Sequence, residues 1–173
     1  MAFVILGLLL LRPMSLYDLI RAFEKGVSLF YSASSGSLKR ALDGLLAKGH
    51  VEVDEAVGAR GRKVYRVTDA GRESFRTWMT GELSGDVETA ALSRLFFLGL
   101  LDKPERGPVL ERIEARLRSD LAALEGLQTQ VEQQQVPAEL EEVAAYQRAV
   151  LDYGLRSHRF ALDWFGTLGR EEV

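Results

Sequence analysis

Along the first eighty positions, apolar residues fall in short helical stripes separated by serine, proline and glycine. The opening run AFVILGLLLL is apolar almost throughout and predicts a first helix from about Ala2 to Arg12, buried on every side. Pro13 stops it, because the residue before a proline is pushed out of the α region. Ser15 then predicts a capped second helix, with Asp18 as the carboxylate that reaches back and Leu16, Leu19, Ile20 and Phe23 on one face. Gly26 ends it. After the serine-rich stretch VSLFYSASSGS, Ser34 or Ser35 caps a third helix over roughly Gly36 to Lys48, with Leu38, Ala41, Leu42, Leu45 and Leu46 as its stripe and Gly49 as its stop. Gly44 inside this helix costs about 1 kcal/mol relative to alanine, which hints at close packing around it.

The period then changes from helical to alternating. VEVDE (51–55) and VYRV (64–67) predict two strands of a hairpin, joined by AVGARGRK, a short positive loop with two glycines. Thr68 and Asp69 open a fourth helix, TDAGRESFRTWMT, with Phe75, Trp78 and Met79 facing inward. Gly81 to Gly85 is expected to be a hinge. Beyond it Leu92, Leu95, Phe96 and Leu100 predict a helix ending near Asp102, before Pro104 and Pro108. A long helix follows from about Val109 to Gln135, its Leu110, Ile113, Leu117, Leu121, Leu124, Leu127 and Val131 close to the 3.5-residue spacing of a coiled-coil seam. Pro137 breaks it. The closing helix, about Ala138 to Leu168, carries two stripes: Val143, Tyr146, Val150, Tyr153, Phe160 and Trp164, and then Leu151, Leu155, Leu162 and Phe165. A helix apolar on two faces needs cover from two sides. A second subunit supplies it, or an intramolecular bundle does.

The expected fold is therefore mainly α with a small β-hairpin. A winged helix-turn-helix over residues 1–82 precedes a helical, antiparallel, coiled-coil-like dimerisation domain over 86–173. The expected pairing residues are Leu110, Ile113, Leu117, Leu121, Leu124, Tyr146, Val150, Tyr153, Phe160 and Trp164.

Composition adds limits. The chain has 173 residues, 47% of them hydrophobic and 27% charged, enough apolar mass for a packed core. No cysteine is present, which removes disulfides, thiolate metal sites and cysteine nucleophiles and fits a reducing cytoplasm. The first apolar run lacks the positive start and small-residue cleavage site of a signal peptide, and it is about half the roughly 20 residues that span a bilayer. No membrane role is expected. The net charge of −3 is unevenly divided: residues 1–80 hold 12 Lys and Arg against 8 Asp and Glu, and residues 81–173 hold 10 against 17. Only the front half suits a polyanion.

The chemistry-bearing positions follow from that division. Ser35, Ser37, Lys39 and Arg40 sit on the first turns of the third helix, away from its leucines, where a helix in the major groove meets base edges and phosphates. Lys39 and Arg40 suit either guanine or phosphate; Asp43 either accepts from cytosine or pairs with Lys39 or Arg40. Arg60, Arg62 and Lys63 in the loop suit phosphate or the minor groove. Each cluster alone reads as an ordinary solvated face; together, on the two elements a winged helix turns to double-stranded DNA, they read as a binding surface. Trp78, Phe96, Tyr146 and Trp164 are candidates for an aromatic effector pocket, and core packing explains each of them as well. No catalytic set is apparent. His50 and His158 stand apart from any acid–base partner, Glu141 and Glu142 point apart on a helix, and no metal, cofactor or nucleotide site is expected.

The segments LGLLLLRPMSLYDLIRAFE, GSLKRALDGLLAKGHVEV and KVYRVTDAGRESFRTW, in that order, resemble the PadR family of bacterial transcriptional regulators. RLFFLGLLDKPE and YQRAVLDYGLRSHRFALDWF resemble the helical C-terminal domain of its longer members. The resemblance implies a homodimer made through the C-terminal helices, repression at a palindromic operator, and release from DNA by a small, often aromatic or phenolic, molecule. The chain departs from the family at Lys39, where a tyrosine is usual, and at Asp43 and Gly44, where basic residues are common. Leu16 stands where a glycine usually precedes the tyrosine of the second helix. These departures bear on which operator is read. A dimeric protein-interaction module that no longer binds DNA is the alternative reading.

Overall fold

Residues 1–54 and 63–172 are described by a computed structural model, with side chains through 169; the loop positions 55–62, including Gly58, Arg60, Gly61 and Arg62, lie outside the described residues. The chain divides into two compact units, Met1–Asp102 and Lys103–Val173.

In the first unit, α1 (Ala2–Leu11) is the central element, with Val4, Ile5, Leu6, Leu8 and Leu9 all buried. It ends one residue earlier than expected, at an extended Arg12 before Pro13. Helix α2 (Leu16–Lys25) starts in a capping box: the Ser15 hydroxyl accepts from the Asp18 amide at 3.2 Å, and the Asp18 carboxylate accepts from the Ser15 amide at 3.0 Å. It buries Leu19 and Phe23 and ends at Gly26, followed by a 3₁₀ turn at Val27–Leu29 inside the stretch expected to be loop. Helix α3 (Ser35–Ala47) is capped by Ser34 and buries Leu38, Leu42 and Leu45. Gly49 follows it at φ 69°, a left-handed stop that glycine adopts freely. Gly44 corrects an expectation. A side chain there would meet nothing within 4 Å, so close packing within the chain does not explain this glycine.

Strands β1 (Val51–Asp54) and β2 (Val64–Val67) pair antiparallel with Val51 opposite Val67 and Val53 opposite Tyr65. Met14 adds a bridge to the other side of Tyr65, its amide donating to the Tyr65 carbonyl at 3.2 Å and its carbonyl accepting at 2.8 Å. The turn between α1 and α2 is thereby tied to the hairpin. Helix α4 (Asp69–Thr80) is capped by Thr68 and buries Phe75 and Met79, with Trp78 half-buried. Its Gly71 presses against β1: a Cβ would stand 2.0 Å from the His50 carbonyl oxygen.

Residues 81–86 are anchored rather than hinge-like. Leu83 is buried, and the Glu82 carbonyl accepts from Arg94 at 3.0 Å. Helix α5 (Val87–Phe96), capped by Asp86, is shorter than expected and is followed by a 3₁₀ turn at Leu98–Leu100. Its inward face is Ala90, Ala91 and Arg94, continued by Phe97 and Leu98, whereas Phe96 and Leu100 are 44% and 38% exposed. The anticipated stripe was displaced because a buried arginine looks like a surface position in an apolar count. Since α5 and its turn lie in the first compact unit, that unit runs past the 82–86 boundary drawn from sequence.

The second unit is an αα-hairpin of α6 (Lys103–Gln133) and α7 (Glu141–Glu172). A Cβ added at Gly154 would stand 3.7 Å from Leu124 and one at Gly169 would stand 3.3 Å from Glu114, so the helices run antiparallel; Arg159 also pairs with Glu125 at 3.0 Å. Helix α6 begins six residues before the expected Val109 and contains Pro108. Pro104 falls where helical amides lack partners in any case, and Pro108 removes a single bond in the second turn. Of the second stripe of α7, Leu155 and Phe165 are buried and Leu151 and Leu162 are half-buried.

Candidate nucleic-acid interface

Helix α3 turns its leucines into the core, and its other face therefore presents Ser35, Lys39, Arg40 and Asp43 to solvent. Ser37 has a different role. Its hydroxyl donates to the Ser34 carbonyl at 2.8 Å and accepts from the Ser34 amide at 3.0 Å, so its proton is spent in the helix cap rather than on a phosphate. Of the two possibilities for Asp43, the structure shows the intrahelical one: Lys39 Nζ donates to Asp43 Oδ2 at 2.7 Å. That hydrogen bond and the Asp43 charge hold the Lys39 pKa above its ordinary value. Both side chains are exposed, so the pair contributes little to stability. It does lower the free positive charge of the face. Arg40 is thus the cation of α3 best placed to act alone.

Lys63, at the foot of the hairpin, is exposed; Arg60 and Arg62 lie outside the described residues. A surface hollow of about 370 Å³ brings Lys63 together with Tyr17, Leu16 and Tyr65. Tyr17 is 62% exposed, and the Arg21 guanidinium lies 5.8 Å from its ring. Tyr17 and Arg21 were missed from sequence. The available signal was an aromatic on the face of the second helix opposite Leu19 and Phe23.

The expected pairing residues divide. Leu110, Ile113 and Leu117 are already buried in the single chain and so are removed from any surface a partner could reach, which corrects their assignment. Leu121 and Leu124 are half-buried. On α7, Val143, Tyr146, Val150, Tyr153, Phe160 and Trp164 are all between 40% and 74% exposed and recur at steps of three, four and seven residues. The candidate pocket residues divide as well. Trp78 lines a cavity in the first unit, and Phe96 stands in the same unit against Phe30 and Phe97. Tyr146 and Trp164 belong to the second unit.

A buried Arg94 in α5 is the feature sequence reasoning passed over. It is 2% exposed, donates to the Ala90 and Glu82 carbonyls at 3.1 and 3.0 Å, and lies 4.8 Å from the Trp78 ring.

Three helices, an antiparallel hairpin and a closing helix in this order make the first unit a winged helix-turn-helix. Residues 5–77 match the Transcriptional regulator PadR-like family, and residues 90–167 match Virulence activator alpha C-term. The chain thus carries a PadR-like transcriptional-regulator domain followed by a Virulence activator alpha C-terminal domain. Among solved structures it is similar to Bacillus subtilis PadR in complex with operator DNA, at 19% identity over 96% of each chain with a TM-score of 0.45. It is also similar to a PadR-like transcriptional regulator from Bacillus cereus, at 24% identity over 99% of this chain and 96% of that one, TM-score 0.44. The Vibrio cholerae virulence activator AphA matches at 20% identity over 98% of this chain and 96% of that one, TM-score 0.43. No curated protein matches the chain by sequence.

Proposed function

We propose that the protein is a homodimeric repressor that reads a palindromic operator with α3 and the hairpin wing, and that a small molecule releases it. The observation that carries this reading is the solvent face of α3, where a capped N-terminus, Arg40 and the Lys39–Asp43 pair stand on a helix whose other face is locked in the core. A recognition helix needs that rigidity, because base edges are read by hydrogen bonds of fixed length. The wing adds Lys63 and, by sequence, Arg60 and Arg62. A DNA partner places the protein in the cytoplasm.

Pairing is supported by α7. Six large apolar side chains in helical register on one exposed face form a patch that a soluble monomer rarely leaves uncovered. A second copy covers it with the same residues, which makes the pairing two-fold and the operator an inverted repeat. Two recognition helices about 34 Å apart then meet successive major grooves.

Mobility shifts on DNA from around its own gene, at moderate salt, test the reading. A specific band is expected; dimerisation with no band would instead favour a protein-interaction module. Replacing Arg60, Arg62 and Lys63 together by alanine is expected to weaken all sequences alike and to flatten the salt dependence by roughly one unit per lost phosphate contact.

A further inference from the structure

Lys39 and Asp43 form a donor–acceptor pair on the open face of α3, Nζ donating to Oδ2 at 2.7 Å. The bond uses up neither side chain. The ammonium carries two further protons, and the carboxylate keeps lone pairs to spare. The surface around them is bare: Ser35, Gly36 and Gly44 are small and exposed, and a Cβ at Gly44 would meet nothing within 4 Å. Glycine inside a helix costs stability, and no contact within the chain accounts for this one. What it leaves open is close approach of the helix to a partner. The side chain of Asp43 is short, so its carboxylate needs that approach to touch anything beyond the helix surface.

In the major groove of B-DNA a keto oxygen, O6 of guanine or O4 of thymine, lies beside the amino group of the paired base, N4 of cytosine or N6 of adenine. Those two groups are themselves hydrogen-bonded across the base pair, at about 2.9 Å. Each still offers the groove one site, a lone pair on the oxygen and a hydrogen on the nitrogen. We infer that the Lys39–Asp43 pair docks on such a base pair as an intact unit, Lys39 donating to the keto oxygen and Asp43 accepting from the amino group. The spacing of donor and acceptor matches on the two sides, and a ring of four hydrogen bonds closes without breaking the ion pair. Turning the base pair over sets the ammonium against an amino group and the carboxylate against a keto oxygen, which rejects it. The unit therefore reads which strand carries the keto base, at one position of each half-site. Guanine is preferred to thymine there, because N7 gives Lys39 a second acceptor and thymine puts a methyl group beside O4. Being neutral overall, the unit selects sequence more than it adds affinity, while Arg40 and the wing supply the attraction to phosphate. The inference rests on the DNA-binding function proposed above.

Selection from randomised DNA duplexes by the full chain, read by sequencing, tests it. The wild type is expected to enrich guanine, then thymine, at one position of each half-site, with adenine and cytosine depleted about tenfold or more relative to guanine. Asp43→Ala, a change at an exposed position, is expected to flatten that position, since Lys39 alone also accepts adenine through its N7, and to leave the other positions as they were. Gly44→Leu is expected to flatten the same position by holding the helix off the bases, with an unchanged or higher Tm showing that the fold is intact. Preferences that survive Asp43→Ala at every position, a loss spread evenly over all positions, or a Gly44→Leu chain that selects as the wild type does overturns the unit and leaves the DNA-binding function standing. Enrichment of no sequence by the wild type overturns that function, and the unit with it.

Discussion

Helix α3 and helix α7 both leave a long face in solvent, and the two faces could hardly differ more. On α3 the exposed positions are Ser35, Gly36, Lys39, Arg40, Asp43, Gly44 and Ala47: small or charged, on a helix whose opposite face is fully seated. On α7 they include Tyr146, Val150, Tyr153, Phe160 and Trp164, large and apolar, while Leu155 and Phe165 on the other face pack inside. Water tolerates the first face at no cost. It opposes the second by roughly 25 cal/mol for each Å² of apolar surface. The first face is suited to a charged, hydrated partner that comes and goes; the second is suited to a permanent apolar one. Exposure alone says little about function until the chemistry of what is exposed is read.

The largest expected effect comes from destroying the apolar face. Tyr153→Glu with Phe160→Glu is expected to give a folded monomer by analytical ultracentrifugation. Its operator affinity should fall by about a hundredfold or more, because two tethered half-site contacts become one. A dimer that survives both charges would break the contrast between α3 and α7.

Next in size is a change to neither face. Gly71→Ala drives a methyl group into the His50 carbonyl and is expected to lower stability by about 3 kcal/mol, read as a drop in Tm. The face variants, by comparison, should leave the Tm of the first unit nearly unchanged. Arg40→Ala is expected to cost about 1–3 kcal/mol of operator binding with little loss on random DNA. Equal losses on both would make Arg40 a phosphate contact.

The smallest effect sharpens the picture of α3. Asp43→Ala frees Lys39 from its 2.7 Å partner and is expected to raise non-specific affinity a few-fold, with the salt slope steeper by roughly one unit. Lys39→Ala in the otherwise unchanged chain should do less than Arg40→Ala, since its charge is already shared.

Much of this was legible in the chain. Ser15 with Asp18, Ser34, Gly26 and Gly49 mark the ends of α2 and α3 because capping is local chemistry, decided within three or four residues. The hairpin was legible for the same reason, since alternation is a local period. What was illegible depended on distant residues. Leu92 and Leu95 outweighed Arg94 in the sequence pattern of α5, yet Arg94 is the buried one, because the Ala90 and Glu82 carbonyls and Trp78 receive it. Leu110, Ile113 and Leu117 shared a stripe with Leu121 and Leu124, and periodicity could not say which of them the chain itself would cover. The hydroxyl of Ser37 looked free until the Ser34 carbonyl was placed beside it.

The sequence by itself therefore determined the order and type of the elements, the cationic positions of the third helix and the excess of apolar faces on the last. Those depend on residue periods and caps that act over one or two turns. Only the tertiary structure decided which apolar stripe remained outside, that Lys39 is held by Asp43 while Arg40 stands clear, and that an arginine sits in the core beside a cavity. Each of these is settled by contacts whose geometry a linear pattern does not carry, many of them between residues far apart in the chain.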